Sequence, residues 1–384
     1  MKIVHLCLYG PVMDGWNYQD NMLTKYHRKM GHEVTIVASK WVWNKNNQIE
    51  RIDKNEYYND DGVKVIRLDI RNNKNVLSKF KRYNGLETVL KELQPDILFV
   101  HNAAYLDIYK VVKYLRKNPG VKTYVDNHND FSNSGRNMVS KYVLHKGIWK
   151  LMYKKIAPYT EKFYGVLPAR VDFLINIYGT PKNKTELLVM GADDEEIERV
   201  EIKHTREEIR KRYGIKDDDF LIVTGGKIDA FKTQTLLLLE AINEINRQNI
   251  KVLLFGSISQ DLKQKVMDMC NDNTIRYIGW IDAMQSYDYF SAADLVAFPG
   301  RHSVFWEQVA GMGIPMLCKY WDGTTHIDMG GNVLFLKDDS VSEVKQALYK
   351  IIDNPEVYQK MKICAQKCKE KFRYSDIARR AIEN

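Results

Sequence analysis

The chain has 384 residues, with 58 Lys+Arg against 49 Asp+Glu and a formal net charge of +9. Its 45% hydrophobic and 28% charged content excludes a mostly disordered protein, and its length suits two or three domains whose core needs neither disulfide nor metal. The excess charge sits in one half: residues 1–190 hold 31 basic and 18 acidic side chains, and residues 191–384 hold the other 27 and 31. Such a basic half points to an anionic partner: nucleic acid, a membrane surface or a phosphorylated substrate.

Short apolar segments alternate with amphipathic helices along both halves. In the first, strands are predicted at 2–8, 33–39, 63–69, 96–102 and 122–128, with helices at 17–30, 86–93 and 105–117. The opening apolar run stops at Gly10-Pro11, too early for a leader peptide, and no run approaches the ~20 apolar residues that span a bilayer. In the second half, strands at 221–225, 251–256, 275–280, 295–300 and 315–320 frame helices at 235–248, 260–270, 284–293 and 304–312. This rhythm means βαβ units and parallel sheets. Two such series predict two Rossmann-like domains, at 1–185 and 186–360. A long helical pattern at 340–372, interrupted near Asn354-Pro355, opens on a Ser340/Glu343 capping box. The last segment, 361–384, is expected to be helical and to pack back toward the first domain. Five scattered cysteines suit small core residues in a reducing compartment such as the cytosol.

Ligands of parallel α/β sheets bind beyond the carboxyl ends of the strands. Two facing sheets would leave a cleft between domains, so the residues that follow strands are the candidates for chemistry. After the first strand comes a loop containing Gly10 and Gly15, then a helix. It is not GxGxxG, and no acidic residue follows the second strand, so NAD is not supported. The Gly15 loop is either an anion cradle or a plain turn. Gly226-Lys227 and Lys232 lie where a strand passes into a helix; two lysines on a Gly-bearing loop suit a diphosphate, or form a solvated basic loop. No Walker sequence occurs. Pro299-Gly300-Arg301-His302-Ser303-Val304 precedes a helix that stops at Gly313. The free amides of Ser303 and Val304 would form an anion site, and Glu307, one turn inside, would accept both hydroxyls of a ribose; an ordinary βαβ turn with an exposed Glu is the alternative. His101 and His128 each end a strand. Asp126 and Asp130 flank His128, and strand alternation puts all three side chains on one face, where they would orient the ring, bind acceptor hydroxyls or hold a metal.

These pieces together resemble the group 1 (family 4-like) glycosyltransferases of the GT-B fold, over essentially the whole length. Gly31-His32-Glu33-Val34 is similar to the family's entry into strand two, and Gly191-Ala192-Asp193 to its entry into the second domain. Gly226-Lys227 with Lys232 falls where the family has its basic pair on the donor diphosphate, and Gly313-Ile314-Pro315 matches the end of its carboxylate motif. That motif, Glu-x7-Glu, is altered here. Without a gap, Gly300 takes the first Glu position and Gln308 the second; one extra residue puts Glu307 in the second role. The resemblance implies Glu307 on the ribose with Gln308 as its rival, His302 in place of the missing first Glu, and His128 beside the sugar and the leaving phosphate. His-Ser-Val-x-Trp-Glu-Gln looks like the signature of a subgroup from bacterial surface-polysaccharide pathways.

The resemblance implies a retaining, metal-independent hexosyltransferase without a cofactor. Its substrates would be a nucleotide-diphosphate sugar, with UDP favoured, and a lipid-linked or polysaccharide acceptor in capsule or lipopolysaccharide synthesis. The donor diphosphate would meet Gly15, Lys227, Lys232, Ser303 and Val304. The acceptor would meet Asp126, Asp130 and His101, with His128 and His302 catalytic. A basic stretch at 136–163, with Arg136, Lys146, Trp149, Lys150, Lys154 and Lys155, reads as a helix that rests on an anionic membrane from the cytoplasmic side, or as a solvated helix with inward aromatics. Aromatics among basic residues also suit RNA, but no nucleic-acid motif occurs. A non-catalytic GT-B partner subunit and a sugar-nucleotide epimerase on the same fold are the alternatives.

Overall fold

The computed structural model describes residues 1–44, 48–71, 80–135, 137–230 and 232–383. Arg136, one of the basic residues named above, lies outside them. The chain forms two compact units, Met1–Val189 with Ile377–Asn384, and Met190–Asp376. The first strand β1 (Lys2–Cys7) is followed by α1 (Gln19–Lys29), β2 (Glu33–Ser39), β3 (Trp41–Trp43), β4 (Ile49–Arg51), β5 (Glu56–Tyr58), β6 (Lys64–Leu68), α2 (Leu86–Leu93), β7 (Ile97–His101), α3 (Ile108–Lys117) and β8 (Lys122–Asn127). A π-helix (Val139–Trp149), α4 (Lys150–Ile156), β9 (Lys162–Gly165), α5 (Pro168–Phe173) and β10 (Thr185–Leu187) complete this part. The strands β3 and β4 form a separate hairpin; the others make one sheet, β10-β9-β8-β7-β1-β2-β6-β5, parallel except at the edge strand β5.

Covered sheets explain the near-continuous apolar strands. All five residues of β7 are buried, and so are the last five of β1. The helix α3 buries Ile108, Val111, Val112 and Leu115, the i, i+3, i+4, i+7 stripe of a helix laid on a sheet.

The second unit contains α6 (Asp194–Ile202), α7 (Thr205–Arg212), β11 (Phe220–Gly225), α8 (Gln234–Ile245), β12 (Ile250–Phe255), α9 (Gln260–Met269), β13 (Ile275–Tyr277), α10 (Gln285–Ala292), β14 (Leu295–Phe298), α11 (Phe305–Met312), β15 (Met316–Lys319), β16 (Val333–Leu336), α12 (Val341–Ile352) and α13 (Pro355–Cys368). Its sheet is all parallel, ordered β13-β12-β11-β14-β15-β16. Ser340 caps α12 by accepting from the Glu343 amide at 3.2 Å. The Glu343 carboxylate binds the amides of Lys337 and Asp338 instead of closing the box on Ser340. The boundary expected at 360 falls inside α13, a continuous helix of the second unit. Only Ile377–Asn384, within and beyond the last helix α14 (Tyr374–Ile382), joins the first.

Each sheet reverses its strand order once near the centre, between β1 and β7 in the first and between β11 and β14 in the second. Those two switch points are where an open α/β sheet offers a crevice to a ligand.

Candidate functional site

The switch point of the second unit carries a narrow cleft. The end of β11 and the turn after it supply Gly225, Gly226 and Lys227, the lead into α8 supplies Lys232 and its first turn Thr235, and the turn after β14 supplies Pro299, Gly300, Arg301 and Ser303. Glycine is required here: a Cβ on Gly256 would lie 1.9 Å from the Gly226 carbonyl oxygen, so the turns after β11 and β12 pack backbone against backbone. Lys227 Nζ lies 3.1 Å from Asp229 Oδ2. Lys232 is partly buried. Its amine is pulled below the usual lysine range by burial; Asp229 opposes that shift, and the like charges of Lys227 and Arg301 add smaller pushes in the same direction as burial. Three cations thus crowd a crevice at the start of two helices, a setting that an anion relieves. Arg301 joins this set although sequence reading assigned it no role. A larger cavity of about 440 Å³, lined by Asp294, Pro315 and Tyr358, opens at the amino ends of the strands, where this fold class does not place its chemistry.

The structure corrects the ribose assignment. The helix α11 is buried from Trp306 to Met312, so Glu307 is wholly buried and Gln308 nearly so. Gln308 Nε2 donates to Ser286 Oγ at 2.8 Å. Glu307 Oε1 accepts from His302 Nε2 at 2.7 Å and from His326 Nε2 at 2.8 Å. No carboxylate edge is left exposed for a ribose. Burial would raise the Glu307 carboxyl, but His302 and then His326 hold it down to about 2. Glu307 Oε2 and His326 Nδ1 are buried without a hydrogen-bond partner among the described residues. The carboxylate therefore fixes two rings, of which His302 retains some exposure. His326 went unnoticed in the sequence because it follows no strand. The three donor atoms lie within 4.8 Å of one another, and the two short contacts are those of N–H···O hydrogen bonds.

In the first unit, His128 follows β8 with about a third of its side chain exposed, and its Nε2 lies 3.3 Å from Asp126 Oδ2. Asp126 itself is fully buried. It accepts from His101 Nδ1 at 2.7 Å and from the Asn102 amide at 3.1 Å. His101 is buried too, with Asp20 Oδ1 3.3 Å from its Nδ1. The expected acceptor contacts at Asp126 and His101 are therefore replaced by an internal network. Asp130 leaves that face: it pairs with Arg170 Nε at 3.2 Å and caps the turn through the Ser132 and Asn133 amides. An Asp126-His128-Asp130 metal triplet does not form. Asp20, which the sequence did not single out, takes its place beside His128. The Gly15 loop, left-handed at Gly15 (φ 75°), is tied down by Asn21 Nδ2, which donates to Met13 O and Trp16 O at 2.6 and 2.8 Å. The first turn of α1 carries Asp20, so the chain's own carboxylate already faces that helix dipole.

The basic segment is not a single helix. Trp149 is buried, with its ring edge toward Phe80, which corrects its assignment to a membrane face. Lys146 and Lys154 are exposed, and Lys150 and Lys155 partly so. The exposed apolar residues lie at its start instead: Met138, Val139, Tyr142 and Val143 are each at least 49% exposed. No helix among the described residues is long and apolar enough to cross a membrane.

Residues 21–196 match the family model described as Glycosyltransferase Family 4. Over the whole chain the fold is similar to that of a glycosyltransferase from Rickettsia africae, with 14% identity, a TM-score of 0.70 and coverage of 99% of this chain and 96% of that one. It is also similar to HepE from Anabaena in complex with UDP (13% identity, TM-score 0.66, 99% and 98% covered). A third similar structure is UDP-GlcNAc 2-epimerase from Neisseria meningitidis bound to UDP-GlcNAc (12%, 0.64, 100% and 98%). A comparison with curated proteins returns no match. The chain has the GT-B fold, with two Rossmann-like domains. Its resemblance to the group 1, family 4-like glycosyltransferases holds in sequence over residues 21–196 and in fold over the full length.

Proposed function

We propose that this protein is a retaining, metal-independent hexosyltransferase. It takes its sugar from a nucleotide diphosphate, UDP in the first instance, and delivers it to a hydroxyl of a lipid-linked or polysaccharide acceptor in bacterial surface-glycan synthesis. The observation that carries the reading is the cationic cleft at the β11/β14 switch point. Lys227, Lys232 and Arg301 supply charge, and the Ser303 and Val304 end of α11 supplies amides, for a leaving diphosphate whose negative charge grows as the glycosidic bond breaks. With that charge carried by side chains and backbone, no metal or cofactor has a necessary role. His302, anchored by Glu307, lies next to Arg301 and takes the sugar-facing role of the missing first carboxylate. In the first unit, His128 and Asp20 are the exposed polar groups offered to the acceptor, and the Gly15 loop borders them. A lipid-linked acceptor places the protein in the cytoplasm against the inner face of the plasma membrane.

The test is a thermal-shift screen against UDP-, GDP-, dTDP- and CMP-sugars. A ligand at a hundred times its Kd adds about 2.7 kcal/mol, which at this size reads as a rise of several degrees. We expect a rise with one nucleotide class that is lost in Lys232→Ala and reduced in Arg301→Ala. No shift with any nucleotide would remove the donor site. The epimerase reading rests on the fold shared with the Neisseria enzyme; it would show as turnover of the nucleotide sugar without any acceptor.

A further inference from the structure

A file of buried rings runs through the first unit. His27 Nε2 lies 2.9 Å from the Ala378 carbonyl oxygen, His27 Nδ1 lies 3.0 Å from His5 Nε2, and His5 Nδ1 lies 2.9 Å from His101 Nε2. His101 Nδ1 then reaches Asp126 Oδ2 at 2.7 Å, and Asp126 Oδ2 also meets His128 Nε2. Proton counting constrains this file. The Ala378 carbonyl can only accept, and so can an ionised Asp126. Between those two ends lie four hydrogen bonds and three imidazoles. Each bond needs one proton, and a neutral imidazole carries one, so four bonds across three rings require one proton more than three neutral rings hold. Counting alone leaves three seats for the extra proton; when it sits on His101, beside the carboxylates of Asp126 and Asp20, His27 donates to Ala378 O, His5 to His27, and His101 both to His5 and, through Nδ1, to Asp126.

We propose that His101 is a positioning residue. Held doubly protonated by this file, it keeps Asp126 a carboxylate, which accepts a hydrogen bond from the Nε2–H of His128 and so leaves the His128 Nδ1 lone pair for a substrate hydroxyl. The surroundings agree. Asp126 receives three donors, from His101, Asn102 and His128, which suits a carboxylate and not an acid. Burial alone would lower the His101 pKa, but the Asp126 charge, with Asp20 adding to it, holds it well above the usual range. Burial and the neighbouring rings push His5 well below that range, and His27 goes to about 4. The other group against His101 is the Cys7 thiol, which burial raises to about 11 and so keeps neutral. The extra proton therefore has one seat. The Asp20-His101-His128 group also loses its aptitude for a cation, because His101 Nδ1 has no lone pair to give.

Only the hydroxyl-binding role of His128 rests on the transferase reading; the file itself is read without turnover. The experiment is long-range ¹H–¹⁵N spectroscopy of full-length protein labelled at its nine histidines, assigned by single variants. At pH 8.5 we expect one ring, missing in His101→Asn, with both nitrogens protonated. His5, His27 and His128 should each show a proton on Nε2 only. In His101→Asn the His128 ring should become a mixture of tautomers, while His27→Gln, whose amide keeps one donor and one acceptor, should leave His128 unchanged. A singly protonated His101 at pH 8.5 in the wild-type spectrum would overturn the proposal, whether or not any variant folds. So would a His128 tautomer that is the same in His101→Asn. If transfer is measurable, His101→Asn should lower kcat by about tenfold, the worth of one hydrogen bond, with donor KM held. An inactive wild-type protein with the expected spectra would remove the transferase reading alone.

Discussion

His27 and Glu307 are both buried ionisable groups, and they should lose their stabilising effect at different stages of acidification. The His27 pKa is depressed from 6.5 to about 4 by burial. The folded state therefore holds it neutral while the unfolded chain takes up a proton, and its contribution is complete above pH 6.5 and lost as pH falls toward 4. At 1.36 kcal/mol per unit this is about 3 kcal/mol. The Glu307 pKa falls from 4.5 to about 2 because the pull of His302 and His326 exceeds the burial cost, so its contribution is lost later, between pH 4.5 and 2. Urea unfolding from pH 7 to 4 should show a stability loss that His27→Gln flattens by one proton. A slope unchanged in that variant would place the titration elsewhere. Residues of this kind were only partly legible in the sequence. His128, Lys227, Lys232 and Ser303 stood out because they follow strands, and the fold puts chemistry there. His5 and His27 gave one signal, a histidine inside an otherwise apolar strand or helix face, and it does not say what the ring meets. Glu307 was misplaced because a carboxylate one turn into a helix is exposed in most settings. The warning lay in its neighbours: Phe305–Met312 is apolar nearly all round, the mark of a helix covered on every side.

At the scale of elements, the βαβ rhythm was legible. The strand Glu33–Ser39 and the helix Leu86–Leu93 occupy the predicted bounds, and most others shift by one to three residues. The strands that periodicity missed, β3, β4, β5, β9, β10 and β16, have three or four residues each, too few to show a period. The strand β9 was also hidden in the basic run, which Pro158 ends in a 3-10 turn before Lys162 starts the strand. The same run breaks the membrane argument into two parts. Lys146 stacks over Tyr142 at 4.8 Å, so charge and apolar surface meet at the start of the π-helix and not at Trp149. If that face rests on a bilayer, apolar insertion and charge should both matter. Flotation with liposomes containing anionic lipid should fall sharply for Val139→Ser with Val143→Ser, and should fall again when Lys146, Lys150, Lys154 and Lys155 are neutralised. Equal flotation by all forms would dismiss this face as the contact. Trp149 changes, by contrast, should alter stability first.

Over the whole molecule, the basic half of the sequence corresponds closely to the first unit, and the few lysines that crowd the anion cleft belong to a half with more acidic than basic residues. Local crowding, not net charge, makes that cleft attractive to a diphosphate. The first unit also depends on the far end of the chain. Ile377, Ala378 and Ala381 are fully buried, and the carbonyls of Ala378 and Ile382 accept from His27 and Tyr124. Removing residues 377–384 should therefore cost the first unit on the order of 5 kcal/mol, readable as faster amide exchange in β1 and β8 while β11 and β12 keep their protection. Unchanged exchange in β1 would refute that dependence.

That discontinuity has a consequence in time. A ribosome delivers Met1–Val189 first and must then make all of Met190–Asp376 before Ile377 emerges. At roughly 5–20 residues per second this is a delay of about 10–40 seconds. Throughout it the nascent first unit holds a complete sheet beside an uncovered apolar groove, with His27 and Tyr124 lacking their acceptors. The second unit can close as soon as its own residues are free, so the first to be synthesised is the last to be finished, and it is the one a chaperone would have to shelter.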